Sequence, residues 1–304
     1  MARGRILKSL AGFYYVIPDN NETLPVAPLS GGATYQCRAR GVFRKKGMKP
    51  LVGDRVEFEL TETEDVEGNV TEVLPRSNAL VRPSVANVDQ ALVIFAVKHP
   101  DPIPDLLDRF LLLMRVTSLP VILNFNKEDL VGEEEMEKLR ENYRDAGVTI
   151  HFTSCTDGSG IEELKKMLEG KTTTVAGPSG AGKSSIVNAL SGEQAMETGE
   201  ISKKIRRGKQ TTRHVELLRI APDSYIIDTP GFSSLSLPDI PAEELERYFP
   251  EFDPYRGNCY FNSCVHVHEP DCAVRTALEE GMIPEERYRS YASFFEELKQ
   301  KKKY

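Results

Sequence analysis

Residues 177–184 read G-P-S-G-A-G-K-S and fit the phosphate-binding pattern G-x-x-x-x-G-K-[ST] of a P-loop. The β-branched run 172–176 before them predicts a strand, and residues 184–190 predict a helix that ends at Gly192. In that context, backbone N–H groups and the positive end of the helix point at an anion. The alternative is a chance glycine-rich turn, which would not explain the predicted strand before the loop and the predicted helix after it. The stretch therefore predicts a site for nucleotide phosphates on an α/β sheet.

Two side chains of this loop have specific expected roles. Lys183 is expected to reach the β- and γ-phosphates, and the Ser184 hydroxyl is expected to ligate Mg²⁺. The loop residues expected to contact the nucleotide are Gly177, Ser179, Gly180, Ala181, Gly182, Lys183, Ser184 and Ser185.

Residues 126–129 read N-K-E-D and fit N-K-x-D, at the end of the apolar run 120–125. The Asp129 carboxylate can accept two hydrogen bonds from the N1–H and N2–H₂ edge of guanine, whereas adenine would leave it unpaired. Asn126 can bond the base and tie this loop to the P-loop, and the stem of Lys127 can lie over the ring. Together with a P-loop, this motif favours GTP over ATP.

Two further segments follow predicted strands. Residues 153–155, T-S-C, are expected to bring backbone N–H groups near the guanine O6, with Ser154 in contact with the nucleotide. Residues 228–231, D-T-P-G, fit D-x-x-G, so Asp228 is expected to hold Mg²⁺ through water, and the N–H of Gly231 is expected to sense the γ-phosphate. An ordinary D-x-P-G turn is the alternative for residues 228–231.

Residues 208–214, G-K-Q-T-T-R-H, lie where a switch loop belongs. One threonine is expected to complete the Mg²⁺ shell, Thr212 more than Thr211. Many small GTPases carry a water-orienting glutamine after D-x-x-G, but Phe232 stands there in this chain. His214 is the nearest group able to orient water. The alternative is a surface histidine at the start of a strand.

The order of these motifs differs from that of ordinary GTPases, because N-K-x-D precedes the P-loop. Spatial order need not follow chain order, so the sheet can still close in a circularly permuted domain. Strands alternate with helices through residues 76–235, beginning after a linker at 76–86, which predicts a central doubly wound α/β P-loop GTPase domain. The last two strands of this domain are expected to pair antiparallel across residues 221–223.

Residues 1–75 carry short alternating strands and predict an N-terminal all-β barrel of the OB-fold type, a fold whose face commonly binds oligonucleotides. Residues 5–17 predict one strand, and residues 18–34 predict a long loop rich in Pro, Asn and Gly. Ten Lys/Arg against three acids in residues 1–55 are compatible with RNA contact. A generic β domain with a structural role is the alternative.

Residues 236–304 predict a third, mainly helical domain with a metal site. Cys259, Cys264, His266 and Cys272 supply three thiolates and one imidazole, the ligand set of a closed structural zinc site with no open position for catalysis. His268 is a second histidine with a claim to the metal. Cys37 and Cys155 are expected to be unrelated buried cysteines.

The net charge of −7 argues against a nucleic-acid partner, but six basic residues without an acid in 203–213 make the distribution uneven. No apolar run approaches the ~20 residues of a membrane span. Five cysteines without signs of export favour metal over disulfides. We expect a cytoplasmic monomer without a membrane partner.

In combination, these motifs resemble the circularly permuted GTPases of the ribosome small subunit-dependent GTPase A (RsgA) family. The resemblance runs through the barrel, N-K-x-D, G-P-S-G-A-G-K-S, T-T-R-H, D-T-P-G-F and C-x4-C-x-H-x5-C. It implies an OB-fold, a permuted GTPase domain and a zinc domain. It also implies that GTP hydrolysis to GDP and phosphate is stimulated by the small (30S) ribosomal subunit during its late maturation, through contacts with its rRNA, and that His214 takes part. Residues 18–34 are longer than the family pattern suggests.

Two other functions are open to a chain with these motifs. One is a P-loop kinase or ATPase acting on a small molecule, against which N-K-x-D and D-T-P-G argue together. The other is an RNA-binding module with a structural nucleotide site. ATP that displaces a fluorescent GDP as well as GTP does would favour the first function. GTP turnover that rises on adding small ribosomal subunits would argue against the second.

Overall fold

The computed structural model describes residues 1–19, 34–41, 43, 48–63, 66–80, 84–191, 215–228 and 236–301. The chain divides into two compact units. One comprises 1–90, 167–175 and 190–230, and the other comprises 91–166, 176–189 and 231–304. The expected domain boundaries at 75/76 and 235/236 stay predictions. Most of the predicted loop 18–34 lies outside the described residues.

Five N-terminal strands close into a barrel in the first unit. They are β1 (Ala2–Leu10), β2 (Phe13–Pro18), β3 (Tyr35–Ala39), β4 (Arg55–Thr63) and β5 (Val66–Val73). Their order is β1-β2-β3-β5-β4, and β1 pairs with β4 to complete the ring. Only the β3–β5 pair is parallel. The alternating pattern places Ile6, Val16 and Phe58 in a fully buried interior. This arrangement confirms the predicted OB-type barrel.

The prediction of a single strand over residues 5–17 is wrong, because the chain reverses between β1 and β2. Leu10 pairs with Phe13, and Ala11 and Gly12 form the turn with φ values of 51° and 86°. Because the apolar alternation continues on both sides of this two-residue turn, the sequence pattern alone did not indicate the turn. The segment 76–86, predicted as a plain linker, contains the short antiparallel strands β6 (Ala79–Leu80) and β7 (Val85–Ala86).

Three more strands of the first unit extend from the barrel strand β1. They are β11 (Thr172–Ala176), β12 (Glu216–Ala221) and β13 (Ser224–Asp228). β12 and β13 form the predicted antiparallel pair, while β11 runs parallel to β13. β12 meets β1 at the pair Lys8↔Glu216, where the two side chains form a 3.0 Å ion pair. The strand that leads into the P-loop thus belongs to a sheet continuous with the barrel.

The second unit contains three parallel strands with connecting helices. The elements are β8 (Gln90–Ala96), α1 (Pro104–Val116), β9 (Val121–Asn126), α2 (Glu133–Tyr143), β10 (Thr149–Thr153), α3 (Ile161–Leu168) and α4 (Lys183–Ser191). β9 pairs in parallel with both β8 and β10. Every residue of β8 and β9 is buried, as expected for strands covered on both faces. The carboxyl ends of these strands therefore open on one edge, where ligands bind in such sheets.

The C-terminal residues of this unit form a helical region. Its elements are the 3₁₀ segments Ala242–Tyr248 and Pro250–Phe252 and the helices α5 (Ala273–Glu279) and α6 (Glu285–Lys301). Phe249, Phe252 and Tyr291 form its aromatic core, with ring centroids 4.8–5.7 Å apart. Across the ranges that the structure describes, none of the helices is both long and apolar enough to cross a bilayer.

A buried ion cluster joins α6 to helix α1. Arg287 of α6 bonds Asp108 of α1 and donates a 2.7 Å hydrogen bond to Glu251. Burial lowers the pKa of Arg287, but the two carboxylates outweigh it, so that the pKa lies above the ordinary value. The guanidinium thus remains charged inside the protein.

Candidate nucleotide-binding site and metal centre

The P-loop wraps tightly between β11 and α4 because three of its residues are glycines with positive φ. Gly177, Gly180 and Gly182 have φ values of 143°, 81° and 89°. A Cβ at Gly177 would overlap the backbone oxygen of Ile94, and a Cβ at Gly182 would overlap the side-chain amide of Asn126. Both glycines are therefore needed for close approach as well as for φ.

Lys183, the first residue of α4, folds back over the loop that precedes it. Its ammonium Nζ donates a 2.7 Å hydrogen bond to the carbonyl of Pro178. Ser184 and Ser185 follow it in the first turn and are half-buried, while Ser179 and Gly180 are exposed. The cation, the hydroxyls and the helix N-terminus thus surround one concave backbone.

Asn126, the last residue of β9, joins three loops through one buried side chain. Its Nδ2 donates a 3.0 Å hydrogen bond to the carbonyl of Ala181 in the P-loop. Its Oδ1 accepts a hydrogen bond from Thr153 Oγ1 at 3.3 Å and faces the Cys155 thiol at 3.8 Å. The Asn126 side chain is only 2% exposed, so its bonds to Ala181 and Thr153 are shielded from water. The structure therefore brings the N-K-x-D loop, residues 153–155 and the P-loop together.

The next residues of N-K-x-D turn away from the strand. Lys127 adopts φ 66°, and its Nζ donates to the carbonyl of His99, in the loop after β8. Asp129 lies in the 3₁₀ turn Glu128–Leu130 and is exposed. The Lys127 side chain is thus tied at its end, while the Asp129 carboxylate is accessible to a ligand. The contribution of His99 was missed from the sequence, which gives no sign that its backbone carbonyl faces a lysine.

The loop after β10 is held in place by bonds around the fully buried Ser154. The N–H of Ser154 bonds the Ser159 carbonyl, and the N–H of Thr156 bonds Ser154 Oγ, at 3.0 and 3.1 Å. Partial burial and the nearby Asp129 raise the pKa of Cys155, so its thiol stays protonated at neutral pH. Cys37 is buried as expected, but Cys155 is exposed, contrary to expectation.

Other predicted site residues lie elsewhere in the chain or outside the described part. Asp228 is the last residue of β13, and only the backbone of Asp228 is described. In the parallel pairing of β13 with β11, the preceding residue, Ile227, lies opposite Thr174. The residues that lie outside the described ranges are Thr211, Thr212, His214 and Gly231.

The four predicted zinc ligands form one cluster, with a ligand atom from each within 4.8 Å of all the others. His266 Nδ1 lies 3.5 Å from Cys259 Sγ and 3.4 Å from Cys272 Sγ, and the two sulfurs are 3.9 Å apart. A tetrahedral zinc with Zn–S bonds of ~2.3 Å would hold its sulfurs about 3.8 Å apart. The donor set and spacing therefore fit one zinc ion. His268 is not in the cluster and instead contacts Glu296.

The chain has the fold and loops of a P-loop GTPase with a circularly permuted motif order. The family model of the RsgA GTPase matches residues 73–238, and that of the RsgA N-terminal domain matches residues 3–68. The chain therefore belongs to the RsgA GTPase family and is an enzyme that hydrolyses GTP, which it binds together with Mg²⁺.

Relatives and solved structures match over nearly the full length. The chain is 50% identical over 302 residues to the small ribosomal subunit biogenesis GTPase RsgA of Agathobacter rectalis, with 99% of each chain covered. It is 44% identical to the protein of that name from Alkaliphilus metalliredigens, with 100% of each covered. The crystal structure of YjeQ from Thermotoga maritima matches with a TM-score of 0.77 at 37% identity, covering 98% of both chains. That of YloQ, described as a circularly permuted GTPase, matches with a TM-score of 0.77 at 35% identity, covering 99% of this chain and 96% of that one.

Proposed function

We propose that this chain is a ribosome biogenesis factor that binds the small (30S) ribosomal subunit, assists its late maturation and hydrolyses GTP faster when bound to it. The support comes from relatives named as small ribosomal subunit biogenesis GTPases, which it matches end to end. The observation that carries the nucleotide site is the hydrogen bond from Asn126 to Ala181, because it joins the loop that reads the base to the loop that holds the phosphates.

The guanine base is read at the ends of β9 and β10. The exposed Asp129 carboxylate accepts hydrogen bonds from N1–H and N2–H₂, a donor pair that adenine lacks. The stem of Lys127, tied at its end to His99, lies against one face of the ring. Within residues 153–155, the backbone N–H of Cys155, next to Ser154, bonds O6.

The triphosphate lies in the P-loop. Backbone N–H groups of the glycine loop surround the β-phosphate, and Lys183 exchanges the Pro178 carbonyl for phosphate oxygens. Mg²⁺ bound with the nucleotide would offset the charge of the phosphates. Ser184, Thr212 and, through water, Asp228 would hold it. The N–H of Gly231 senses the γ-phosphate, and Thr211 is a further contact with the nucleotide.

Hydrolysis is an in-line displacement at the γ-phosphorus. A water oxygen forms a bond to phosphorus as the bond to the β,γ-bridging oxygen breaks, and GDP leaves with the electron pair. His214 orients this water in place of a glutamine. The water proton ends on the released phosphate, and the P-loop donors and Lys183 stabilise the charge on GDP.

The remaining parts support docking and folding. The barrel contacts rRNA through its basic surface, and the Cys₃His cluster holds one structural zinc ion. The protein acts as a monomer in the cytoplasm, with no membrane partner.

GTP turnover with and without isolated small subunits tests this proposal. We expect slow turnover that rises at least tenfold with small subunits and does not rise with large subunits. Fluorescent GDP should be displaced by GTP but not by ATP at equal concentration. Equal turnover with and without small subunits would contradict the ribosomal role, and equal displacement by ATP would contradict the assignment of the base site.

A further inference from the structure

His266, one of the four residues of the metal cluster, has a partner on its other ring nitrogen. Its Nδ1 faces the sulfurs of Cys259 and Cys272, while its Nε2 lies 2.6 Å from Oε2 of Glu246. The imidazole is 3% exposed and the Glu246 side chain 25% exposed. The contact is therefore largely shielded from water.

We propose that Glu246 is a positioning residue for zinc, which fixes His266 in the tautomer that binds the metal through Nδ1. This inference rests on the zinc site proposed above. A carboxylate only accepts hydrogen bonds, so Nε2 must carry the proton, and Nδ1 then presents its lone pair to the metal. A carboxylate behind a ligating histidine also raises the basicity of the ligand.

The surroundings leave the ring little freedom to adopt the opposite orientation. Its edge packs on Phe252, with centroids 6.0 Å apart at 77°, and the His266 carbonyl accepts a 2.8 Å bond from Tyr288 Oη. Glu269 accepts bonds from the N–H groups of Val265 and Val267 on either side. The backbone and ring are thus fixed, and Glu246 supplies the interaction that selects the proton position.

The loop contains its own matched control. His268 forms a second histidine–glutamate contact with Glu296, at 3.2 Å, in which both side chains are exposed and the histidine lies outside the metal cluster. Substitution of Glu296 therefore removes a histidine–glutamate contact without affecting a histidine that binds the metal.

The first measurement is the zinc content of the purified full-length protein and the ¹⁵N spectrum of its histidines. We expect one zinc per chain, with Nδ1 of His266 metal-bound and Nε2 protonated. A wild-type protein without zinc would overturn the proposed metal site itself. A zinc-loaded protein with Nε2 of His266 on the metal would overturn only the role of Glu246.

The second measurement is zinc affinity by competition with a chromophoric chelator. We expect Glu246→Ala to weaken zinc binding about 10- to 100-fold, as for other residues that support a ligand. Glu246→Gln keeps an acceptor oxygen for Nε2–H, so it should weaken zinc binding less than Glu246→Ala does. It replaces the alanine variant in the test if that variant does not fold. Glu296→Ala should match wild type. Glu246 variants that hold zinc as wild type does, or that lose it no more than Glu296→Ala, would overturn the proposal.

Discussion

The side-chain amide of Asn126 donates a 3.0 Å hydrogen bond to the backbone carbonyl of Ala181, fifty-five residues further along the chain. Ala181 is fully buried, so its carbonyl depends on this donor. The contact couples the base loop to the phosphate loop in a chain where their usual order is reversed. The geometry of one loop therefore depends on the other.

Asn126→Ala should weaken GDP binding at least about tenfold, because an unsatisfied buried carbonyl costs about 1–3 kcal/mol and the P-loop loses its support. Fluorescent GDP titration measures this. Asn142→Ala is the control, since Asn142 makes an exposed bond to Glu286. Equal GDP affinity in Asn126→Ala and Asn142→Ala would show that the bond from Asn126 to Ala181 does not position the P-loop.

Lys183→Ala should reduce GTP turnover by about 10²-fold or more, because the phosphate charge that develops on cleavage loses its nearest cation. Single-turnover hydrolysis at saturating GTP measures the chemical step. Lys138→Ala removes a lysine from the exposed pair with Glu134 and should leave turnover unchanged. Normal turnover in Lys183→Ala would remove this residue from the mechanism.

Arg287→Met should destabilise the protein by about 3–5 kcal/mol, because it leaves Asp108 and Glu251 as buried carboxylates without a counter-charge. Urea unfolding followed by tyrosine fluorescence measures the loss. Arg289→Met, on the same helix, breaks only an exposed pair with Glu285 and should unfold at the wild-type midpoint. Similar midpoints for both variants would show that the buried cluster adds nothing to stability.

Chelation of the metal should unfold the cysteine-rich segment, because the four ligands provide its principal cross-link. Hydrogen exchange should then speed up in residues 259–272 while the barrel stays protected. Cys264→Ser should reproduce this exchange pattern without chelator, and Cys155→Ser should not. Unchanged exchange after complete removal of zinc would contradict a structural role for the metal.

The sequence could predict which loops meet because the motifs follow buried parallel strands. Asn126 ends β9, so its place on the ligand edge follows from chain direction alone. The four metal ligands were predicted from residue type and spacing, which suffices because few other functions need three cysteines and a histidine so close together.

Partners that are distant in sequence could not be predicted. Arg287 and Asp108 are 179 residues apart, and only the packing of α6 on α1 brings them together. Glu246 is one of several acids in its segment, and its contact with His266 depends on the fold of a loop twenty residues away. The turn at Ala11 was missed because strand alternation continues on either side of it.

The most direct test of the central claim, that one nucleotide occupies both loops, is hydrolysis of xanthosine triphosphate by Asp129→Asn. Xanthine carries an oxygen where guanine carries N2–H₂, and an asparagine amide can donate to that oxygen. We expect GTP turnover by Asp129→Asn to fall by about 10²-fold or more. The same variant should hydrolyse xanthosine triphosphate near the rate at which the wild-type protein hydrolyses GTP. Adding Lys183→Ala should abolish this hydrolysis of xanthosine triphosphate. Asp145→Asn, at an exposed site, is the control. A variant that still prefers GTP, or one whose new activity survives Lys183→Ala, would contradict the account.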